Sequence, residues 1–366
     1  MASMQVVVEV VIKEGVWYDT YTDIHTGITS IMSKDFPYTI ETLPEEENTR
    51  IKRDFEGYLS GCVRVPPKGY FYQAIYRDFA ASYYNLKLYP TDVFVASYPK
   101  CGTTWTQELV WMVMNDFDEE GAKVPLDKRF PMIESDHVLD PQVFQDPELS
   151  SKMKGMVPKP GDYLALVSSL SHPRPLKTHM PFSLLPPSLL DTCKVVYVAR
   201  DPKDVVVSYY HHHRMWITHG YKGDFNTFLE YFMNDQLMFS PFWEHIREAW
   251  DLRHHPNLLI LTYHDLQTNL AQTINKVASF LGKSVSEEQM VKLQEHLHID
   301  SMKKNPATNA EYLGDLGVLD KREGGFIRKG GSGGWRKYFD DKMVEKFEKW
   351  MVEKGKGLEK EFKWLS

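Results

Sequence analysis

The chain has 366 residues, with 42% hydrophobic, 25% charged and 13% aromatic side chains and a formal net charge of −7. That composition excludes a disordered or collagen-like chain. The acidic balance excludes a global steering field for nucleic acid or an anionic membrane, so any anion site must be local.

The first residues, MASMQVVVEVVIKEG, carry Glu9 inside their apolar stretch and no basic leader, a poor signal peptide. No apolar run approaches the roughly 18 residues that span a bilayer. Cys62, Cys101 and Cys193 show no CxxC spacing and no Asn-x-Ser/Thr occurs, which fits a reducing, cytoplasmic setting. Residues 1–50 read as a peripheral N-terminal extension, and 51–366 as one domain.

Val93–Tyr98 (VFVASY) is short, aliphatic and apolar on both faces, the pattern of a buried parallel strand. A helical apolar spacing follows over Thr104–Asn115. Residues 116–175 are irregular and proline-rich (Pro125, Pro131, Pro141, Pro147, Pro158, Pro160), and read as a lid-like insertion. Val195–Ala199 and Leu258–Thr262 repeat the strand pattern, while Phe225–Asn234, Pro241–Arg253 and Leu270–Leu281 repeat the helical one. The alternation predicts an α/β fold, a central parallel β-sheet flanked by helices. Ligands then bind beyond the carboxyl ends of the strands.

Four segments are candidates to carry chemistry, two of them at such ends. Tyr98-Pro99-Lys100-Cys101-Gly102-Thr103-Thr104-Trp105 runs from a strand into a helix. Its amides and helix N-terminus suit an anion, Gly102 permits close approach and Lys100 adds a full charge. It is not a Walker A loop, because no G-x-x-x-x-G-K-[ST] occurs. Lys177 and His179 are two residues apart in an extended segment and share a side, a cation beside a candidate base. Arg200 ends the second strand, Pro202 suits a first helical turn, and Ser208 lies two turns on. Arg328, Lys329 and Gly330 open a glycine-rich turn that suits a phosphate. Gly330-x-Ser332-x-Gly334 imitates a hydrolase elbow but lacks its buried strand and following helix. His211–His213 point in different directions on a helix, which favours pocket-lining over metal-binding roles.

Together and in this order, YPKCGTTW, KTH, RDPKDVVVS and RKGGSGGW resemble the motifs of the cytosolic sulfotransferase family over roughly residues 66–350. Within it the chain looks most like insect members, including the moth retinol dehydratase branch. The resemblance implies a P-loop-nucleotide-binding-like sulfotransferase fold and sulfonate transfer from PAPS, leaving PAP, to a hydroxyl or amine of a small hydrophobic acceptor. The alternative it implies is sulfonation of an allylic alcohol followed by loss of sulfate. His179 would be the base, with Lys100 and Lys177 stabilising charge in flight. Lys100, Cys101, Gly102, Thr103 and Thr104 would wrap the phosphosulfate, Trp105 and Tyr263 would line the adenine, and Arg200, Ser208, Arg328, Lys329 and Gly330 would hold the 3′-phosphate. No metal is required. Phe130, Phe144, Phe182, Tyr209 and Trp216, with Tyr163 and Phe239, are the expected acceptor-lining aromatics. Cys101 replaces the usual Ser, and Asp340-Asp341 replace the Thr-Val pair of the family's dimer segment, which leaves dimerisation open.

Overall fold

The expected strands form because their side chains are apolar on both faces, and the computed structural model buries both faces of the two central ones. Along β4 (Val93–Ala96), Phe94 and Ala96 join one core cluster and Val93 and Val95 the other. Along β6 (Lys194–Ala199), Val195, Tyr197 and Ala199 alternate in the same way with Val196 and Val198. This period of two between two helix-covered faces is the mark of a buried parallel sheet. The structure describes residues 36–138, 140–145, 147–148, 151, 159–328, 330–358 and 362.

The parallel sheet has the order β5-β4-β6-β7, with β5 at Pro175–Thr178 and β7 at Leu258–Thr262. Val95 faces Lys177 on one side and Val196 on the other. The chain thus leaves β4 for one neighbour and returns to the other, which opens a crevice beyond the carboxyl end of β4. A separate antiparallel sheet, β1 (Glu41–Thr42), β2 (Cys62–Val65) and β3 (Tyr70–Gln73), has no counterpart in the sequence reading.

The helices that matter here are α1 (Tyr76–Tyr84), α2 (Thr103–Met114), α3 (Asp162–Ser169), α4 (Pro202–Met215), α5 (Phe225–Met233), α6 (Phe242–Asp251), α7 (Tyr263–Thr268), α8 (Leu270–Leu281) and α9 (Asp341–Lys354). α2, α5, α6 and α8 fall within two residues of the expected spans. Pro202 opens α4 and the Asp201 side chain caps it, accepting from the Lys203 amide at 2.8 Å. Among the described residues no helix is long and apolar enough to cross a membrane.

Residues 1–35 of the expected extension lie outside the described residues. From Phe36 on the chain is tied in: β1 pairs with β2, Leu43 is buried, and Arg50 donates to Gln236 at 2.9 Å. Among its described residues, the segment 116–175 contains short helical turns and α3. Its Met132 bridges Lys177 and so adds a rung to the edge of β5. The Asp136 carboxylate accepts the Gly161, Tyr163 and Leu164 amides at 2.8, 3.3 and 2.9 Å, capping α3 from 25 or more residues away.

Candidate functional site

The crevice at the end of β4 is built by one tight turn. Lys100 adopts φ 68° and Gly102 φ 107°, so the chain reverses into α2 with the amides of its first turn facing the crevice. Thr103 is buried and its Oγ1 pairs with Ser97 Oγ at 2.7 Å, while Thr104 is half-buried. A Cβ on Gly102 would stand 2.8 Å from the Tyr263 ring. Gly102→Ala is therefore expected to destabilise the fold by about 1–2 kcal/mol, from the left-handed φ and the contact together. A urea titration would read this as a lower midpoint at unchanged slope.

Cations gather here. The Lys100 ammonium is enclosed, 3.5 Å from His212 Nδ1 and 4.7 Å from the Phe326 ring centre. Burial first, then the charges of Lys177, Arg200 and Arg328, lower its pKa to about 7. Arg200 donates to the carbonyls of Lys100 (3.1 Å) and Gly331 (2.8 Å), and its guanidinium lies 4.0 Å over the Tyr263 ring. Arg328 donates to Tyr338 Oη at 3.4 Å, and that hydroxyl also meets His211, three residues beyond the half-buried Ser208 on α4. Among the described residues, Lys100, Arg200 and Arg328 have no carboxylate partner. Arg200 Nε and Trp105 Nε1 are buried without any partner. Trp105 stands edge-on to Tyr263 at 5.7 Å. Lys329 lies outside the described residues.

The glycine-rich turn is clamped to this edge. Asp204, in the first turn of α4, accepts the Gly333 amide at 2.7 Å and the Trp335 amide at 3.3 Å. Tyr263 Oη accepts the Gly331 amide at 3.2 Å. Gly330 is exposed with φ 68°, and a Cβ there would strike Ile299 at 2.5 Å. Ser332 is exposed and donates to Gln267 at 2.8 Å, which is not a nucleophile's setting. Cys101 is buried, and burial pushes its thiol up to about 12, so it stays protonated. Asp340, in the altered dimer segment, caps α9 by accepting the Met343 amide at 2.8 Å.

Lys177 and His179 follow from β5. His179 Nδ1 donates to the Ser97 carbonyl at 2.8 Å, its amide donates to Glu134, and its carbonyl accepts from His245 Nε2 at 2.9 Å. The first bond fixes the tautomer, so Nε2 carries the lone pair. Burial, then the nearby Lys177 charge, holds its pKa well below the ordinary value. The arrangement can accept a proton at neutral pH beside a pair of ammonium groups. Glu134 escaped the sequence reading. Fully buried, it contacts Lys177 electrostatically, and burial raises its carboxyl while lowering the Lys177 ammonium. The only sequence signal is a carboxylate directly after the apolar run Pro131–Ile133.

The expected acceptor aromatics do not all meet. Phe239 stands 5.6 Å from the His179 ring. Tyr209 is buried 5.7 Å from Tyr98 and donates to Met238 O at 3.0 Å. Phe182 lies 6.1 Å from Tyr197. Phe144 and Trp216 share a small cluster with Val318. Phe130 packs with Val95 and Trp111 on the α2 face of the sheet, the side away from the cluster that holds Phe239. Tyr163 is half-buried at the start of α3. His213 and His219 stack at 4.2 Å, and burial keeps both neutral. Among the described residues, no group of three or more His, Cys, Asp or Glu is placed to hold a metal ion.

A family model described as a sulfotransferase domain matches residues 90–359. The luciferin sulfotransferase of Photinus pyralis is 36% identical over 281 residues, 75% of this chain and 74% of that protein. Sulfotransferase 1A1 of Bos taurus is 33% identical over 282 residues, 76% of this chain and 88% of its own. Among solved structures, retinol dehydratase in a complex with retinol and PAP superposes with a TM-score of 0.81 at 39% identity, covering 88% of this chain and 97% of that one. A mouse sulfotransferase complexed with PAP, at 21% identity and a TM-score of 0.59 over 80% of this chain and 93% of its own, shares the fold.

Proposed function

The chain belongs to the sulfotransferase family, and from that premise we propose which of its residues carry the transfer. It is a PAPS-dependent enzyme that moves a sulfonate group to a hydroxyl or amine acceptor. The observation that carries the assignment of residues is the group of half-buried cations without carboxylate partners among the described residues, set beside a histidine whose Nε2 is bare.

The residues fit a nucleotide with anionic groups at two ends. Lys100 and the amides of Cys101, Gly102, Thr103 and Thr104 form one cradle. Arg200, Ser208, Arg328 and Gly330 form the other, to which Lys329, outside the described residues, is assigned from the motif alone, with Trp105 and Tyr263 between them as an aromatic slot. PAPS, when bound, supplies the transferable sulfonate and a phosphate leaving group for in-line displacement. Lys100 and Lys177 hold positive charge where negative charge builds up. His179 Nε2 takes the proton from the acceptor oxygen.

We propose one catalytic domain over 51–366, with 116–175 as the cover of the acceptor site, and a small hydrophobic hydroxylated acceptor (a phenol, steroid or terpenoid alcohol). The three cysteines are free and buried, which supports a reducing, cytoplasmic setting. The test is transfer of labelled sulfate from PAPS to a panel of such acceptors; no transfer to any of them removes this reading. The likeness to retinol dehydratase supports a second reading, sulfonation of an allylic alcohol followed by elimination. A sulfate ester that accumulates from an allylic alcohol would exclude it.

The depressed Lys100 pKa gives a pH prediction. In the free protein this ammonium keeps its proton below about pH 7 and loses it above. A bound anion restores the proton, so affinity for PAP is expected to fall as pH rises past 7. For one proton the limit is about tenfold per pH unit. Calorimetric titration between pH 6.5 and 8.5 reads it, and Lys100→Arg should flatten the curve. A flat wild-type curve contradicts the assignment.

A further inference from the structure

Beside the proposed transfer site lie three polar atoms that nothing among the described residues satisfies. Tyr72 Oη, Tyr76 Oη and His137 Nε2 are buried and lack hydrogen-bond partners among the described residues. Each of the three residues is 0% exposed. They come from β3, from the start of α1 and from the turn Ser135–Val138, yet they form one cluster. The two tyrosine rings stack at 4.1 Å, and His137 stands edge-on to them at 5.3 and 5.2 Å. Its other nitrogen, Nδ1, meets Tyr83 Oη at 3.4 Å, and burial keeps the ring neutral.

Buried polar groups in native proteins are nearly always paired, and leaving them bare is costly. Other buried polar groups of the same segment are paired, although bare ones occur elsewhere among the described residues. Asp136, the neighbour of His137, accepts three amides. Glu134, three residues before His137, accepts the His179 amide through Oε1, while its Oε2 is itself bare. Three bare atoms in one place therefore point to a partner from outside.

Phe239 links the cluster to the chemistry. Its ring lies 5.6 Å from His179, 5.6 Å from Tyr72 and 6.0 Å from His137. Its amide donates to Phe71 O at 2.9 Å, and Phe71 donates to Ser240 O at 2.8 Å, which ties this ring to β3. One wall thus borders both the base and the bare polar atoms.

We propose that Tyr72, Tyr76 and His137 form a polar subsite for a second hydrogen-bonding group of the acceptor, a carbonyl or hydroxyl remote from the hydroxyl at His179. The inference rests on the transferase reading and narrows its acceptor. Two phenolic donors and an imidazole nitrogen suit a rigid, flat molecule polar at both ends, rather than a terpenoid alcohol with one hydroxyl. A site built for hydrogen bonding rejects analogues that lack the group, because its own atoms are then left unpaired.

The test compares matched probes on the PAP-loaded full chain by intrinsic fluorescence. One pair is a 3-hydroxysteroid with and without a 17-oxo group; the other is 4-hydroxyacetophenone and 4-ethylphenol. Wild type is expected to bind the oxo member of at least one pair tenfold or more tightly, about 1.4 kcal/mol. Tyr72→Phe and Tyr76→Phe keep the stacked rings and should reduce that ratio to threefold or less. Equal affinities, no binding of either pair, or a ratio unchanged in both variants would overturn the subsite. The wild-type comparison stands even where a variant fails to fold. Binding is read without turnover, so absent sulfonate transfer would remove the transferase reading separately.

Discussion

His179→Ala is expected to lower kcat by about 10²–10⁴-fold, the range for a lost general base, with the Kd for PAP changed by less than about threefold. The size follows from how completely the ring is fixed. Ser97 O takes the Nδ1 proton at 2.8 Å, so the free lone pair is always on Nε2. The backbone on either side is held as well, by Glu134 at the amide and by His245 at the carbonyl. A water molecule in the vacated space would have none of these constraints. Because burial and Lys177 keep the His179 pKa far below its ordinary value, the ring stays neutral from pH 6 to 8. The wild-type rate should accordingly show no acid limb from this group in that range. Steady-state transfer with a phenol acceptor checks both points, and an unchanged kcat in the variant sinks the assignment.

Arg200→Ala is expected to weaken PAP binding by about 10²–10³-fold, about 3–4 kcal/mol. Three roles end together. A cation with no carboxylate partner among the described residues leaves the site. The donors to Lys100 O and Gly331 O disappear, so the β4 turn and the glycine-rich turn lose their common tie. The Tyr263 ring also loses the guanidinium 4.0 Å above it. Arg200→Lys keeps the charge but not the planar fork, and should recover no more than about tenfold. Calorimetry with PAP measures both, and equal affinities for Lys and wild type would reduce the residue to a point charge.

β4 and β6 were legible in the sequence because a strand buried on both faces is an unbroken apolar run, and β7, half-buried at the edge, keeps the same aliphatic run. β5 was not, since Pro175 and Lys177 break that pattern and only its neighbours' hydrogen bonds make it a strand. The loop at Lys100–Trp105 and the cations at Arg200 and Arg328 could be placed because each ends or follows such a strand or turn. Glu134 could not, because it reaches His179 only through the Met132–Lys177 bridge, a contact between segments 45 residues apart. Aromatic residues such as Phe130 and Phe239 look alike in sequence. Which face of the sheet each one joins is settled by register, not by residue type.

Asp136 caps α3 from a turn whose neighbours are Glu134, at the His179 amide, and His137, against Tyr72 and Tyr76. The helix in the proposed cover is therefore moored to the same few residues that border both ends of the proposed acceptor site. Lifting α3 strains that mooring, and a loosened mooring frees the cover. Admission and retention of the acceptor become one cooperative event, so acceptor dwell time should track the strength of a single carboxylate cap.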